Sequence, residues 1–382
     1  MAGPLHGVRI IEIASIGPGP FCGMMLADHG AEVIRVERPG GPTSGIKRDF
    51  AKDILARSRQ SIVLDLKQPQ GIAIVRDLVR SADGLIEGFR PGVMERLGLG
   101  PDVLLKDNPK LVYGRMTGWG QDGPWAQAAG HDINYLALAG ALHAFSRPDE
   151  KPMPPLNLVG DFGGGGLMLA FGMVSAILHA RSGGPGQVID CAMTDGVAVL
   201  MAMIHGLLNM GNWRDERGVN LLDGGAHFYD TYETSDGKFI SVGSVEPQFY
   251  QLLLQLIGLA DDDAFATQMD RAQWPEQKKG IAAVFKTKTR DEWCELLART
   301  DACYAPVLSM TEAVRHPHNV ARETYIEVSS SVQPAPAPRY SVTRNDMPEM
   351  ASQPGSDGDS ILRAIGFDEQ RITDLRAQGV LA

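Results

Sequence analysis

Between residues 8 and 116 the sequence alternates short β-branched runs with segments of helical character, and this alternation restricts the fold more than any other feature. Val8 to Ile13 is strand-like, and Phe21 to Asp28 reads as a helix stopped at Gly30. Glu32 to Val36 and Ile62 to Leu66 follow as strands, then Gly71 to Arg80 as a helix with Pro69 near its start. Leu85 to Glu87 and Leu111 to Met116 close the run. Strands joined by crossover helices pair in parallel, because the connection is too long for a hairpin. The expected fold class is α/β, with a doubly wound parallel-sheet large domain.

Past Gly186 the pattern changes. Phe228 to Thr234 and Lys238 to Val242 flank Ser235-Asp236-Gly237, and Asp-Gly between two strand runs is a strong hairpin signal. Thr289-Arg290-Asp291-Glu292 has capping-box form just before Trp293, Leu296 and Leu297 at helical spacing. The expected organisation is a large domain at 1–190 completed by 326–382, a linker helix at 191–214 and a smaller α+β domain at 215–325. Pro334, Pro336 and Pro338 interrupt regular structure, and Ser360 to Gly379 reads as two short helices around Gly366 packed back on the large domain.

Composition narrows the function classes. A net charge of -10 argues against a nucleic-acid partner, and a polyanionic ligand would have to be met by local arginines. Cys22, Cys191, Cys294 and Cys303 show neither paired metal-ligand spacing nor the density of a secreted scaffold, so no metal and a reduced, cytoplasmic setting are expected. The N-terminal stretch lacks the basic and apolar regions of a signal peptide, and the final Gly-Val-Leu-Ala is not a peroxisomal address. Phe162 to Leu178 and Val197 to Met210 read as core helices too short or too polar to span a bilayer, hence no membrane partner.

Gly17-Pro18-Gly19-Pro20-Phe21-Cys22-Gly23 follows the first strand where a dinucleotide fingerprint would stand. The third glycine falls one residue late, and two prolines remove N–H donors that a pyrophosphate would need. A tight strand-to-helix turn is the better reading. Three other segments carry ionisable side chains at or just before helix starts: His131 in Gly130 to Tyr135, Asp161 ahead of four glycines and a helix beginning near Leu167, and Glu246 before Pro247. Unsatisfied N–H groups at such ends suit developing negative charge, and the same field suits an uncharged imidazole acting as a base. Residue type and spacing alone favour helix caps or satisfied core groups over catalysis at all three.

The same residues carry a resemblance that runs essentially end to end. Arg35 to Gly40, Val63 to Pro69, Gly130 to Tyr135, Pro155 to Phe162, Leu222 to Ala226 and Glu246 to Tyr250 resemble the class III CoA-transferase (CaiB/BaiF) superfamily. Gly-His-Asp-Ile-Asn-Tyr together with Glu-Pro-Gln-Phe-Tyr is similar to its α-methylacyl-CoA racemase branch. The resemblance implies racemisation of 2-methylacyl-CoA thioesters by 1,1-proton transfer through an enolate. His131 and Asp161 would be the two acid/bases, and Glu246 would orient His131. It further implies an interlocked homodimer, no cofactor beyond the CoA of the substrate, and CoA contacts at Arg38, Leu64, Asp65, Leu66, Lys67, Gly88, Phe89, Arg90, Arg96, Gly130, Asp132, Ile133, Asn134 and Tyr135. Arginines suit the phosphates because guanidinium forms bidentate bonds.

Two departures stand out. Ser58 replaces a glycine between Arg57 and Arg59, which bears on their contacts to the phosphate end. His227 replaces a proline and is expected to add a second titratable imidazole near the site. Sixteen methionines, among them Met193, Met201, Met203 and Met210, fit core filling or a pliable acyl surface. Two alternatives share the fold: a CoA transferase with Asp161 as nucleophile, and a non-catalytic acyl-CoA-binding protein.

Overall fold

The computed structural model describes residues 3–41 and 49–382. The chain forms two compact units, one of Met1–Ala139, Leu156–Leu200 and Glu323–Ala382, the other of Gly140–Pro155 and Met201–Arg322.

The first unit is built on six parallel strands: β1 (Arg9–Ile13), β2 (Glu32–Glu37), β3 (Gln60–Val63), β4 (Gly84–Glu87), β5 (Val112–Thr117) and β6 (Gln187–Ala192), in spatial order β3-β2-β1-β4-β5-β6. Side chains alternate between the two faces of a strand, and both faces here are apolar. Ile10, Val33, Ile86 and Val112 join one core cluster, while their neighbours Ile11, Ile34, Leu85 and Tyr113 join another. The first is covered by α1 (Pro18–Asp28), whose Cys22 and Leu26 are buried in it. The second is covered by α2 (Pro69–Val79) and by the two C-terminal helices, Gly358–Ala364 and Glu369–Ala377, through Ile361, Leu362, Ile372 and Leu375, with Phe367 from the turn between them.

β6 is absent from the strand pattern read above. It is an edge strand, exposed over most of its length and carrying Asp190, so it lacks the apolar run that marks its neighbours. The glycine run is helical throughout. Leu158–Leu167 is π-helical and runs without a break into an α-helix at Met168–Arg181, so the helix starts nine residues earlier than the position near Leu167 read from sequence. The resulting Leu158–Arg181 helix has 24 residues and is long and apolar enough to cross a membrane by length and composition, a correction to the reading of this stretch as too short. Its Leu169, Met173 and Ile177 are buried in the core of the first unit.

The apolar stretch after His131 is broken as well. Helix α3 spans Asp132–Leu138, and Gly140, at φ 84°, ends it. Residues 140–155 then group with the second unit rather than with 1–190, where Arg147 pairs with Asp230 at 2.6 Å. The helix Met193–Leu200, placed in the linker by sequence, instead groups with the first unit, because Gly164 and Gly196 let it approach the π-helical segment closely. The second unit carries a three-stranded antiparallel sheet of β7 (Tyr229–Glu233), β8 (Phe239–Gly243) and β9 (Tyr304–Val307). Gly237, at φ 74°, turns the β7–β8 hairpin. Thr289 and Glu292 bond reciprocally at the start of the helix Arg290–Leu297. Phe228, Tyr250, Trp274, Phe285 and Trp293 fill the core of this unit.

Candidate active site

In a doubly wound sheet, chain connections leave in opposite directions at the point where the strand order reverses, which opens a crevice at the carboxyl ends of the strands. Here that point lies between β1 and β4. The turns that follow these strands, Ile16 to Pro18 and Gly88 to Pro91, form one side of a cleft of about 560 Å³. Met116 to Trp119 at the end of β5, Ala126, Ala128 to His131, Tyr135, Asn157, Asp161 and Met193 complete its lining. His131 and Asp161, 30 residues apart in the chain, therefore share one cavity.

His131 is the N-cap of α3. Its backbone N–H donates to Asn134 Oδ1 at 3.0 Å, and its carbonyl accepts the Asn134 N–H at 2.8 Å. Backbone and Asn134 thus close the helix end while the imidazole lines the cleft. Asp161 sits in the first turn of the π-helical segment, not ahead of a helix as expected. Burial raises the pKa of its carboxyl, and the negative charge of Asp132 adds to this. A 3.2 Å hydrogen bond from Asn157 Nδ2 and the charge of His131 oppose the rise. The site thus contains an imidazole and a carboxyl whose proton burial helps to retain, two groups able to exchange a proton with one substrate atom.

Glycines make room for this arrangement. Gly17, at φ 70°, passes so near Asp161 that a Cβ would lie 3.2 Å from Oδ2. The turn dismissed as a nucleotide fingerprint is thus a wall of the cleft. A Cβ at Gly118 or Gly130 would collide with the Tyr135 ring, whose hydroxyl donates to the Gly130 carbonyl at 2.5 Å. Burial raises the Tyr135 hydroxyl to about 12, so it remains a donor at neutral pH.

The expected CoA contacts divide. Arg38, Leu66, Gly88 and Phe89 line a second cavity of about 390 Å³, which shares Ile16, Gly88 and Phe89 with the first. Arg90, Gly130 and Tyr135 line the first. Leu64 is fully buried under the C-terminal tail, bridging to Leu381. The Asp65 carboxylate is occupied by the Lys67 N–H and by Gln68, which hold it below the usual carboxylate range. Lys67, Arg96, Ile133 and Asn134 are exposed but line neither cavity, and the Asp132 side chain is buried beneath the site.

Arg57 and Arg59 are not available to phosphates. Arg57 is buried in a bidentate pair with Asp28 and also donates to Gln333 and to the Pro334 carbonyl. Arg59 is buried against Glu12. His227 is likewise a core residue of the second unit, fully enclosed and kept uncharged at neutral pH by burial, so it adds no titratable imidazole to a site. Glu246 is the exposed N-cap of the helix Pro247–Ile257 in the second unit. Met193 is buried, whereas Met203 and Met210 are exposed, so core filling does not describe the methionines as a set.

Asn157, Gly17, Trp119, Ala126, Ala128 and Ala129 belong to the cleft but were given no site role from sequence. Only Asn157 had a signal: it stands one helical turn before Asp161, where an amide reaches a carboxylate. A cavity of about 780 Å³ in the second unit offers no comparable proton pair. Asp230, its buried carboxylate, is held by Arg147 at 2.6 Å and Lys278 at 2.8 Å.

Comparison with known proteins places this geometry among relatives. The sequence profile of CoA-transferase family III matches residues 5–358. Alpha-methylacyl-CoA racemase of Mus musculus is 47% identical over 380 residues, covering 99% of this chain and 97% of that protein. The Homo sapiens protein of the same name is 45% identical with the same coverage. The crystal structure of a CAIB/BAIF family protein from Brucella suis superposes with a TM-score of 0.82 at 27% identity, covering 96% of this chain and 100% of that one.

Proposed function

Because the chain belongs to CoA-transferase family III, we propose that it is an isomerase that racemises 2-methylacyl-CoA thioesters by moving one proton. The observation that carries the reading is that His131 and Asp161 line one cleft at the sheet's switch point, with Asp161 biased toward its protonated form. Similarity to two proteins named for this activity supports it.

One base removes the α-proton, the C–H electron pair forms a double bond to the carbonyl carbon, and the carbonyl π pair moves onto the thioester oxygen, which the first N–H of α3, that of Asp132, stabilises. The α-carbon becomes planar. The other group, arriving protonated, delivers its proton to the opposite face, and the carbonyl re-forms. Neutral His131 with protonated Asp161 serves one enantiomer, and imidazolium with carboxylate serves the other. The CoA nucleotide would occupy the cavity beside Arg38, with Arg90 nearer the thioester, and no cofactor beyond CoA is required. The enzyme would work as a homodimer in which Glu246 of one subunit orients His131 of the other.

Either enantiomer incubated in D2O is expected to take up deuterium at the α-carbon while it racemises, and His131→Ala or Asp161→Asn to lose at least about 1,000-fold in rate. Chiral separation with mass spectrometry reads both. Transfer of CoA to a second acid without α-exchange would favour a transferase. Binding without either reaction would favour a carrier.

A further inference from the structure

The Asp132 side chain makes a bond that its place in the helix does not require. An acid in a first turn ordinarily interacts with the N–H groups of its own helix. The Asp132 Oδ1 instead accepts the backbone N–H of Asp161, from a different segment, at 2.6 Å. Gly160 makes this possible, since a Cβ there would lie 2.4 Å from that oxygen. The other oxygen, Oδ2, is fully buried and meets no protein donor among the described residues. Leaving a buried carboxylate oxygen unpaired costs stability. Its persistence calls for a return elsewhere.

The return lies in what the bond connects. Asp132 directly follows His131 in the chain, so its side chain links the backbone of one proposed base to that of the other. The segment it grips is π-helical and contains Gly163 to Gly166, which carry no side chains to set its register. We propose that Asp132 is a positioning residue, whose carboxylate fixes the separation of His131 and Asp161 across the substrate's α-carbon and holds a negative charge beside Asp161. The inference rests on the two-base reading above.

Asp161 is faced by Asn157 from its own segment, by His131, Asp132 and Tyr135 from α3, and by Gly17 from the β1–α1 turn; Arg90 stands in the cleft wall. Of the charged groups acting on it, Asp132 favours the protonated carboxyl and His131 opposes it.

The test compares Asp132→Asn with Asp132→Ala in the full chain, by α-proton exchange and by carbon-13 NMR titration of the Asp161 carboxyl, assigned with Asp161→Asn. Asparagine keeps an acceptor and removes the charge. Exchange should stay within about tenfold of wild type, while the Asp161 titration and the acid limb of the exchange profile both move to lower pH. Alanine removes the tie, and kcat should fall about 100-fold with KM for acyl-CoA nearly unchanged. An Asp161 titration unmoved by Asp132→Asn, or wild-type exchange in Asp132→Ala, overturns the proposal. If the wild-type protein exchanges no α-proton, the two-base reading falls instead, and the NMR titration still reports whether Asp132 governs Asp161.

Discussion

Burial disfavours the charged form of both His227 and Asp161, with opposite consequences for the protons they hold. His227 lies among Phe228, Tyr250 and Phe265, and its Nε2 is 2.8 Å from the Tyr250 hydroxyl, which donates to the Phe265 carbonyl at 3.1 Å. Burial, aided by Lys278, lowers its pKa to about 4. The unfolded chain takes up a proton near pH 6.5 while the folded chain does not. Stability is therefore complete above that pH and is lost as pH falls from about 6.5 toward 4, by up to about 3 kcal/mol. Urea midpoints at pH 7.5 and 4.5 should differ more for wild type than for His227→Asn. At Asp161 the sign reverses. A raised folded pKa means that the native state loses stability as pH rises through the unfolded value of 3.8 toward the folded one. Asp161→Asn should thus be inactive yet more stable than wild type at pH 7 by thermal unfolding, because an amide leaves no carboxylate charge to bury.

Among the elements, the π-helical segment shows how packing overrides propensity. Glycine disfavours helix, which is why a helix start near Leu167, after Gly163 to Gly166, suits the sequence. The run is helical because its bare backbone meets other elements directly. A Cβ at Gly166 would lie 2.7 Å from the Pro18 carbonyl oxygen, and one at Gly196 only 1.8 Å from the Gly164 carbonyl oxygen. These contacts set the depth of the segment that carries Asp161. Gly196→Ala should destabilise the protein by about 2 kcal/mol or more and reduce activity with it. Gly206→Ala, in the helix Ala202–Asn209 with open space around it, should be neutral or stabilise by up to about 1 kcal/mol. Chemical denaturation of the pair separates close contact from propensity.

For the whole molecule, the proposed homodimer makes a prediction that no single chain can satisfy. Phe171, Val174 and Leu178 lie at helical spacing on Met168–Arg181 and are exposed, the pattern of a face that a second copy would cover. If Glu246 acts across the dimer, Asp161→Asn and Glu246→Gln homodimers should each be inactive. Unfolding and refolding them together should restore about a quarter of wild-type activity, because half the dimers are mixed and each holds one intact site. No recovery on mixing would place Glu246 elsewhere. The α/β class, the parallel sheet, the hairpin at Gly237 and the tail helices were legible in the sequence because each rests on local rules: β-branched runs, turn residues and spacing. Motif resemblance also named His131 and Asp161. The rest depended on which atoms meet. Arg57, Arg59 and His227 look like surface or site residues by type, and only packing shows them enclosed. The bond from Asp161 to Asp132 joins positions 29 apart, and the glycine helix exists because its neighbours leave room for nothing larger. Local chemistry selects the elements, whereas burial and long-range contact, which no window of sequence contains, decide what each side chain can do.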